Sequence, residues 1–549
     1  MSAKTVEPIE HAPSAYAYPL LIKQLLHTPL AINPDQEIVY RDQRRHDYWT
    51  LRHRIGQLAS TLQSVGVQPG DTVAVMDWDS HRYLESYFAV PMMGAVLMTV
   101  NVRLSPDQIV YTLNHSRAKT LLINSEFLPL LQSVRDKLET VDRYILIDEE
   151  GAAGLPPGFA GEYELLLAGA SPDYAFPDFD ENARATTFYT TGTTGLPKGV
   201  YFSHRQIVLH TLGAALALTG AARQGRIHRD DVYMPMTPMF HVHAWGLPFV
   251  ATLLGLKQVY PGRYAAEQLL CLIRREKVTF SHGVPTVLQM VLNHPDALTT
   301  DLHGWKVIVG GSALPRGLAQ DALERGIDVF TGYGMSETCP ILALAQLKTT
   351  MAQDPQGELD VRTKAGMPLP LVDLRIVDVD LRDVAHDGKA SGEIVVRAPW
   401  ATQGYFRDPQ ASQALWEGGY LHTNDIGVID VDGYLQITDR IKDVIKSGGE
   451  WVSSIEIEDL LSRHPAVSEA AVIAAKDDKW GERPLALVVL RPDQSVDAEG
   501  LKRHLGEYAI RGEISKYAVP ERVVFIDALE RTSVGKVNKK LLREKYRGS

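Results

Sequence analysis

The chain has 549 residues, 45% of them hydrophobic and 22% charged, with 56 Lys plus Arg against 67 Asp plus Glu and a formal charge of −11. At roughly 150 residues per folding unit this is three or four units with ample core, which excludes disordered and fibrous classes. The acidic balance excludes the basic footprint of a nucleic-acid binder, so no nucleic-acid partner is expected.

Along the chain, short β-rich runs alternate with helical stretches. Thr72–Met76, Thr120–Ile123, Tyr144–Ile147, Val278–Ser281, Val307–Val309 and Asp328–Phe330 read as buried strands. Ser105, Pro106 and Gln108 form a capping-box helix start with Pro at the first helical position. Such alternation predicts an α/β protein with doubly wound sheets. Near residue 440 the character changes. Strands at Ala470–Ala474, Leu485–Leu490 and Arg522–Ile526 and a helix at Ala498–Tyr508 make a compact α+β unit of about 100 residues. The glycine- and charge-rich stretch Ile437–Gly449 reads as a linker, and Ser453 with Glu456 as a structural capping box.

Cys271 and Cys339 are isolated, so neither a CxxC metal site nor a disulfide framework is present, which fits a reducing compartment. The apolar runs Phe88–Val100, interrupted by Pro91, and Val242–Leu256 fall short of the ~18 residues of a membrane span. The N-terminus lacks a signal run and the C-terminus lacks SKL, so the expectation is a soluble cytoplasmic protein without an integral membrane segment. G-x-S-x-G, H-E-x-x-H and G-x-G-x-x-G motifs are absent.

The most informative stretch is Thr186–His204, where an apolar strand runs into Thr190, Thr191, Gly192, Thr193, Thr194 and Gly195, then Pro197, Lys198 and Gly199. Glycines admit close backbone approach, hydroxyls add donors and the lysine adds charge, a combination suited to a polyphosphate. It is not a Walker A loop, because the Gly-Lys-Ser/Thr ending is missing.

This run resembles the phosphate loop of the adenylate-forming superfamily of acyl-CoA synthetases, luciferases and peptide-synthetase adenylation domains. Further motifs follow in the superfamily's order: YGMSETCP at Tyr333–Pro340, GYLHTNDIG at Gly419–Gly427, DRIKDVIKSGG at Asp439–Gly449 and RTSVGKVNKK at Arg531–Lys540. The details TTGTTGLPKGV, FHVHAW, YGMSETCP and SGGEWVSS resemble the bacterial medium- and long-chain fatty acid–CoA ligases most. The likeness covers roughly residues 20–545 and implies an N-terminal adenylation domain at 1–438, a hinge at 439–446 and a small mobile α+β domain at 447–549.

The resemblance also implies the reaction: a fatty acid, ATP and CoA give acyl-CoA, AMP and diphosphate through an acyl adenylate, with Mg²⁺ as cofactor. Tyr333 would stack on adenine, with Gly311, Ser312, Gly334, Met335 and Ser336 around the nucleotide. Asp425 would accept the ribose hydroxyls and Arg440 would contact ribose or phosphate. Thr190 and Glu337 would hold Mg²⁺. His241 would act with Glu337 and with Lys536, the lysine that brings carboxylate and α-phosphate together. His241, Trp245, Gly311, Ala313 and Gly334 would line the acyl site. Lys442 would be the hinge, and Ser447, Gly448, Gly449, Glu450 and Trp451 would face CoA. A homodimer is implied by the same analogy. Departures from the superfamily pattern are Ser336 for Thr, Asn424 for Gly and Arg531 for Lys. Transfer to a carrier protein, and methylthiopropionate, aryl or 3-hydroxy acids as substrates, remain open.

Overall fold

Continuous β-branched and aliphatic runs become strands covered on both faces. Thr72–Met76 is buried at every position because helices pack on both sides of its parallel sheet. The computed structural model describes residues 9–149, 151, 154–190, 196–351, 355–447, 450–477, 479–532 and 536–546, without the side chains of 350, 355, 356, 446, 450 and 451.

Seven strands form one sheet in the order Gly161–Glu162, Arg143–Ile147, Ala118–Asn124, Thr72–Met76, Val96–Thr99, Arg184–Thr190, Lys198–Ser203. All neighbours are parallel except the last pair, a hairpin in which Thr190 faces Lys198. A nine-stranded sheet runs Met367–Pro368, Ile341–Leu344, Asp328–Gly334, Lys306–Val309, Phe280–Gly283, Val232–Met236, Lys257–Tyr260, Glu37–Tyr40, Arg44–Asp47, parallel through its centre and antiparallel at its margins. One continuous apolar core joins these two sheets, from Ile22 through Phe249 to Trp400. The capping box at Ser105 is reciprocal, with Gln108 N–H donating to Ser105 Oγ at 3.4 Å.

An antiparallel four-stranded sheet, Asp373–Val377, Gly392–Arg397, Leu421–Ile429 and Leu435–Arg440, follows. Next comes a five-stranded sheet of Glu450–Val452, Ile445–Ser447, Gly481–Leu490, Val467–Asp477 and Arg522–Phe525, with its own core around Ile457, Val472 and Leu501. The stretch predicted as linker, Ile437–Gly449, is therefore mostly strand, and only residues 441–444 lie between the two sheets. Ser453 forms half of its capping box, with Oγ accepting from Glu456 N–H at 3.1 Å. This second unit docks on the first through Arg316 N–H to Asp459 Oδ1 at 3.2 Å and Gln289 Nε2 to the Ser468 carbonyl at 3.4 Å. No helix among the described residues is long and apolar enough to cross a membrane.

Candidate active site

Strand Asp328–Gly334 leaves its sheet into a single 3₁₀ turn, Ser336–Thr338, before Ile341–Leu344 returns antiparallel. Met335 N–H donates to Thr338 Oγ1 at 3.1 Å and sets that turn. Gly334 has no room for a side chain, since a Cβ there would overlap the Pro340 carbonyl. This geometry puts Tyr333 and Glu337 at the sheet's end, where ligand crevices of doubly wound folds form.

Asp425 and Arg440 face each other across the antiparallel pair Leu421–Ile429 and Leu435–Arg440. Arg440 Nε donates to Asp425 Oδ1 at 3.0 Å and Tyr333 Oη to Asp425 Oδ2 at 2.9 Å. The carboxylate is thus held from both sides and retains lone pairs for further donors. Asn424 has φ +58°, the left-handed region, which Asn tolerates better than other non-glycine residues. The replacement of the superfamily's Gly therefore leaves Asp425 in register.

Glu337 is buried, which pushes its carboxyl above the usual range. Tyr405 Oη donates to Glu337 Oε1 at 2.7 Å, and the Lys198 ammonium sits over the Tyr405 ring at 4.4 Å. Thr190 ends its strand with Oγ1 donating to the Lys198 carbonyl at 3.5 Å. Tyr405 was not singled out from the sequence. It lies 68 residues from Glu337 in an ordinary Gly-Tyr-Phe run, and only the fold joins them.

Lys536 belongs to the C-terminal unit, with Thr532 N–H donating to its carbonyl at 2.7 Å. Gly311 has φ +78°, and a Cβ on it would lie 3.2 Å from Lys536 Cε, so the glycine clears the lysine's path. Burial first, then the positive charge of Arg440, lowers the Lys536 ammonium to about 8, while Asp425 and Glu337 partly oppose the shift. His241 faces the same ammonium. Burial and then that charge lower its imidazole to about 3, so it is neutral at pH 7.

Beside His241 the backbone is unusual. Val242, His243, Ala244, Trp245 and Gly246 all have φ between +47° and +70°, a left-handed turn. Each non-glycine residue there costs about 1–2 kcal/mol, so anchors must hold the segment. Asp79 Oδ1 accepts from Met239 N–H at 2.8 Å, and the Tyr264 hydroxyl donates to the other Asp79 oxygen. The Tyr87 hydroxyl donates to the Met239 carbonyl, and Thr99 Oγ1 to the Phe240 carbonyl at 2.8 Å. The turn aims Trp245 at His282, ring centres 5.0 Å apart, and against Gly310. It drives His243 into an apolar nest of Tyr87, Phe188, Phe202 and Phe249.

Contacts and mutual charge influences therefore link Lys198, His241, Gly311, Tyr333, Glu337, Asp425, Arg440 and Lys536 in one cluster, with Gly334 next to Tyr333 and Trp245 against Gly310 beside Gly311. Ser312 and Ala313 are exposed in the turn beside Gly311, and Met335 and Ser336 are half-buried next to Tyr333. Lys442 lies in the exposed turn between sheets, and Ser447 is buried in the five-stranded sheet opposite Gly481. Thr191, Gly192, Thr193, Thr194, Gly195, Gly448 and Gly449 lie outside the described residues, as do the side chains of Glu450 and Trp451.

No group of three His, Cys, Asp or Glu among the described residues could hold a metal. Mg²⁺ needs less, since it commonly uses one or two carboxylates and completes its shell with water and phosphate oxygens. Glu337 fits that demand. Tyr405 orients its Oε1.

Comparison with known proteins gives the family. The AMP-binding enzyme family model matches residues 27–406, and the AMP-binding enzyme C-terminal domain model matches 456–536. A long-chain-fatty-acid–CoA ligase of Thermus thermophilus is 42% identical over 507 residues, 92% of this chain and 90% of that protein. A 3-methylmercaptopropionyl-CoA ligase of Ruegeria lacuscaerulensis is 36% identical, covering 96% of this chain and 98% of that one. Among solved structures, the anthranilate CoA ligase AuaEII in complex with anthranoyl-AMP superposes with a TM-score of 0.85 at 24% identity, covering 96% of this chain and 98% of that one. That last likeness speaks to the fold.

Proposed function

This chain belongs to the AMP-binding enzyme family and is an adenylate-forming acyl-CoA ligase; from that premise we propose that its acid is a medium- to long-chain fatty acid. A carboxylate is a poor electrophile because its leaving group would be oxide. The acid oxygen attacks the α-phosphorus of ATP, the bond to the bridging oxygen breaks and pyrophosphate departs. The CoA thiol then attacks the acyl-AMP carbonyl, and AMP leaves with the electron pair.

In this reading Asp425 receives the ribose hydroxyls, Tyr333 covers the adenine and Arg440 stands by the sugar and phosphate. Lys536 carries the positive charge that lets carboxylate and α-phosphate approach, and neutral His241 lines the carboxylate's entry. Glu337, with Thr190, would hold Mg²⁺, which when bound would supply positive charge against the phosphates. Lys442 is the hinge about which the 447–549 unit turns between the two half-reactions, and the Ser447–Trp451 segment then faces CoA. The observation that carries the reading is Lys536 beside Gly311 and His241, delivered from a separately folded unit to the cluster of Glu337, Asp425 and Arg440.

The fatty chain is supported by the apolar surroundings of Trp245 and by the Thermus thermophilus relative. A short thioether acid is the second reading, favoured by the Ruegeria relative that aligns over 96% of this chain. The test is pyrophosphate release with ATP, Mg²⁺ and CoA across saturated acids from acetate to palmitate, beside 3-methylmercaptopropionate. A maximum at mid or long chain length supports the fatty-acid reading. A maximum at the thioether acid replaces it.

A further inference from the structure

At the end of the hairpin Arg184–Thr190 and Lys198–Ser203 remote from residues 191–195, a cavity of about 550 Å³ opens between the hairpin, the start of helix His204–Gly220 and the 399–407 segment. Arg184, Arg205 and Arg407 line it with Tyr201, Tyr405 and Phe406, and no carboxylate is among its lining residues. The Arg184 guanidinium lies 4.4 Å from the Phe406 ring centre and that of Arg407 5.0 Å. Neither pairs with a carboxylate among the described residues, whereas Arg205 is paired with Glu181 at 3.2 Å. The Asp408 carboxylate next in the chain is engaged as a helix cap, accepting from Ala411 N–H at 3.0 Å. The two guanidiniums repel: after burial, the Arg407 charge is among the influences that hold Arg184 below its usual range. Helix His204–Gly220 adds the partial positive charge of its first turn on the same side.

Adjacent like charges without a paired carboxylate, Arg184 half-buried and Arg407 exposed at the cavity's rim, are unfavourable until an anion joins them. Guanidinium forks match phosphate oxygens in pairs, and flat aromatic walls suit an organic body beside the phosphate. We propose that this cavity binds a phosphate-bearing ligand, its phosphoryl oxygens held between Arg184 and Arg407 and its body against Phe406 and Tyr201. Two sources share that chemistry: the nucleotide end of CoA, and a free phosphorylated metabolite. Tyr405 is a wall of this cavity and the donor to Glu337, so the ligand would sit one side chain away from the catalytic cleft.

The test is calorimetric titration of the full chain, its nucleotide site filled with Mg²⁺ and a non-hydrolysable ATP analogue. The probes are adenosine 3′,5′-bisphosphate and, separately, inorganic phosphate. At least one probe binds, and Arg407→Gln and Arg184→Gln each weaken it about tenfold, the scale of a hydrogen bond to a charged group. Pyrophosphate release without CoA stays at the parental rate in both variants. A matching rise in KM for CoA identifies CoA as the source, and an unchanged KM identifies a free phosphorylated ligand. Binding of neither probe, or equal binding by parent and variants, overturns the proposal. The CoA arm rests on the ligase reading and the phosphate arm does not, so failure of one is distinct from failure of the other.

Discussion

The two sides of the proposed site are built on different principles. On the side we assign to the nucleotide, Asp425 is fixed by ionic and hydroxyl partners at 3.0 and 2.9 Å, on strands of ordinary geometry. On the side we assign to the acyl group, residues 242–246 contribute shape, not charge, and hold it in left-handed backbone that Asp79, Tyr87 and Thr99 restrain from outside. Polar recognition here needs the right atoms, which a regular scaffold can supply. Apolar recognition needs a contour, and the chain accepts local strain to make one.

If that division holds, the largest effect comes from removing charge at the cleft. Lys536→Ala should lower pyrophosphate release by about 10²–10³-fold, the scale of losing one preorganised charged donor. ATP binding, measured by calorimetry, should stay within about threefold. Undiminished turnover would remove Lys536 from the mechanism. Asp425→Asn keeps the shape but not the charge. It should raise KM for ATP about tenfold and leave KM for the acid alone; a shift in the acid's KM instead would mean the two sides are not separate.

A pH profile sharpens the point. Lys536 must be protonated to act as a cation, and its lowered value of about 8 predicts adenylation that falls about tenfold per pH unit above that point. Arg440→Gln removes one of the charges that lower it and should move the alkaline limb to higher pH, though only partly, because burial is the larger cause. The smallest effect belongs to the acyl side. Asp79→Ala leaves Met239 N–H and the Tyr264 hydroxyl without their acceptor. It should raise KM for the acid by about threefold to tenfold while KM for ATP stays put.

The same division explains what could be read from the chain alone. Asp425, Arg440, Glu337 and Lys536 sit in short runs that resemble the superfamily's motifs, and the set of motifs in order, not any one run by itself, singled them out. The strand Thr72–Met76 and the Ser105 capping box likewise follow from local pattern. Position was harder to read at strand ends. The strand expected at Val278–Ser281 runs from Phe280 to Gly283, although Thr279 still exchanges backbone hydrogen bonds with Val232 and Lys306. The charge and glycine of 437–449 suggested a loop, but Ile437–Arg440 pairs with residues 425–427 as strand. Neither Tyr405 nor Asp79 could be assigned from sequence, since each acts on a partner 68 or 160 residues away. The left-handed turn was equally hidden, because nothing in Val-His-Ala-Trp favours it and only the surrounding anchors impose it.

Four residues, 441–444, are the whole covalent connection between the strand bearing Arg440 and the unit bearing Lys536. A tether that short holds a partner at an effective concentration on the order of millimolar. The lysine's arrival at the cleft is therefore an internal event whose frequency does not depend on how dilute the enzyme is. Severing the chain within that tether, for example by inserting a protease site, would turn it into an encounter between two molecules. Adenylation would then rise with the concentration of the freed C-terminal fragment and fade on dilution.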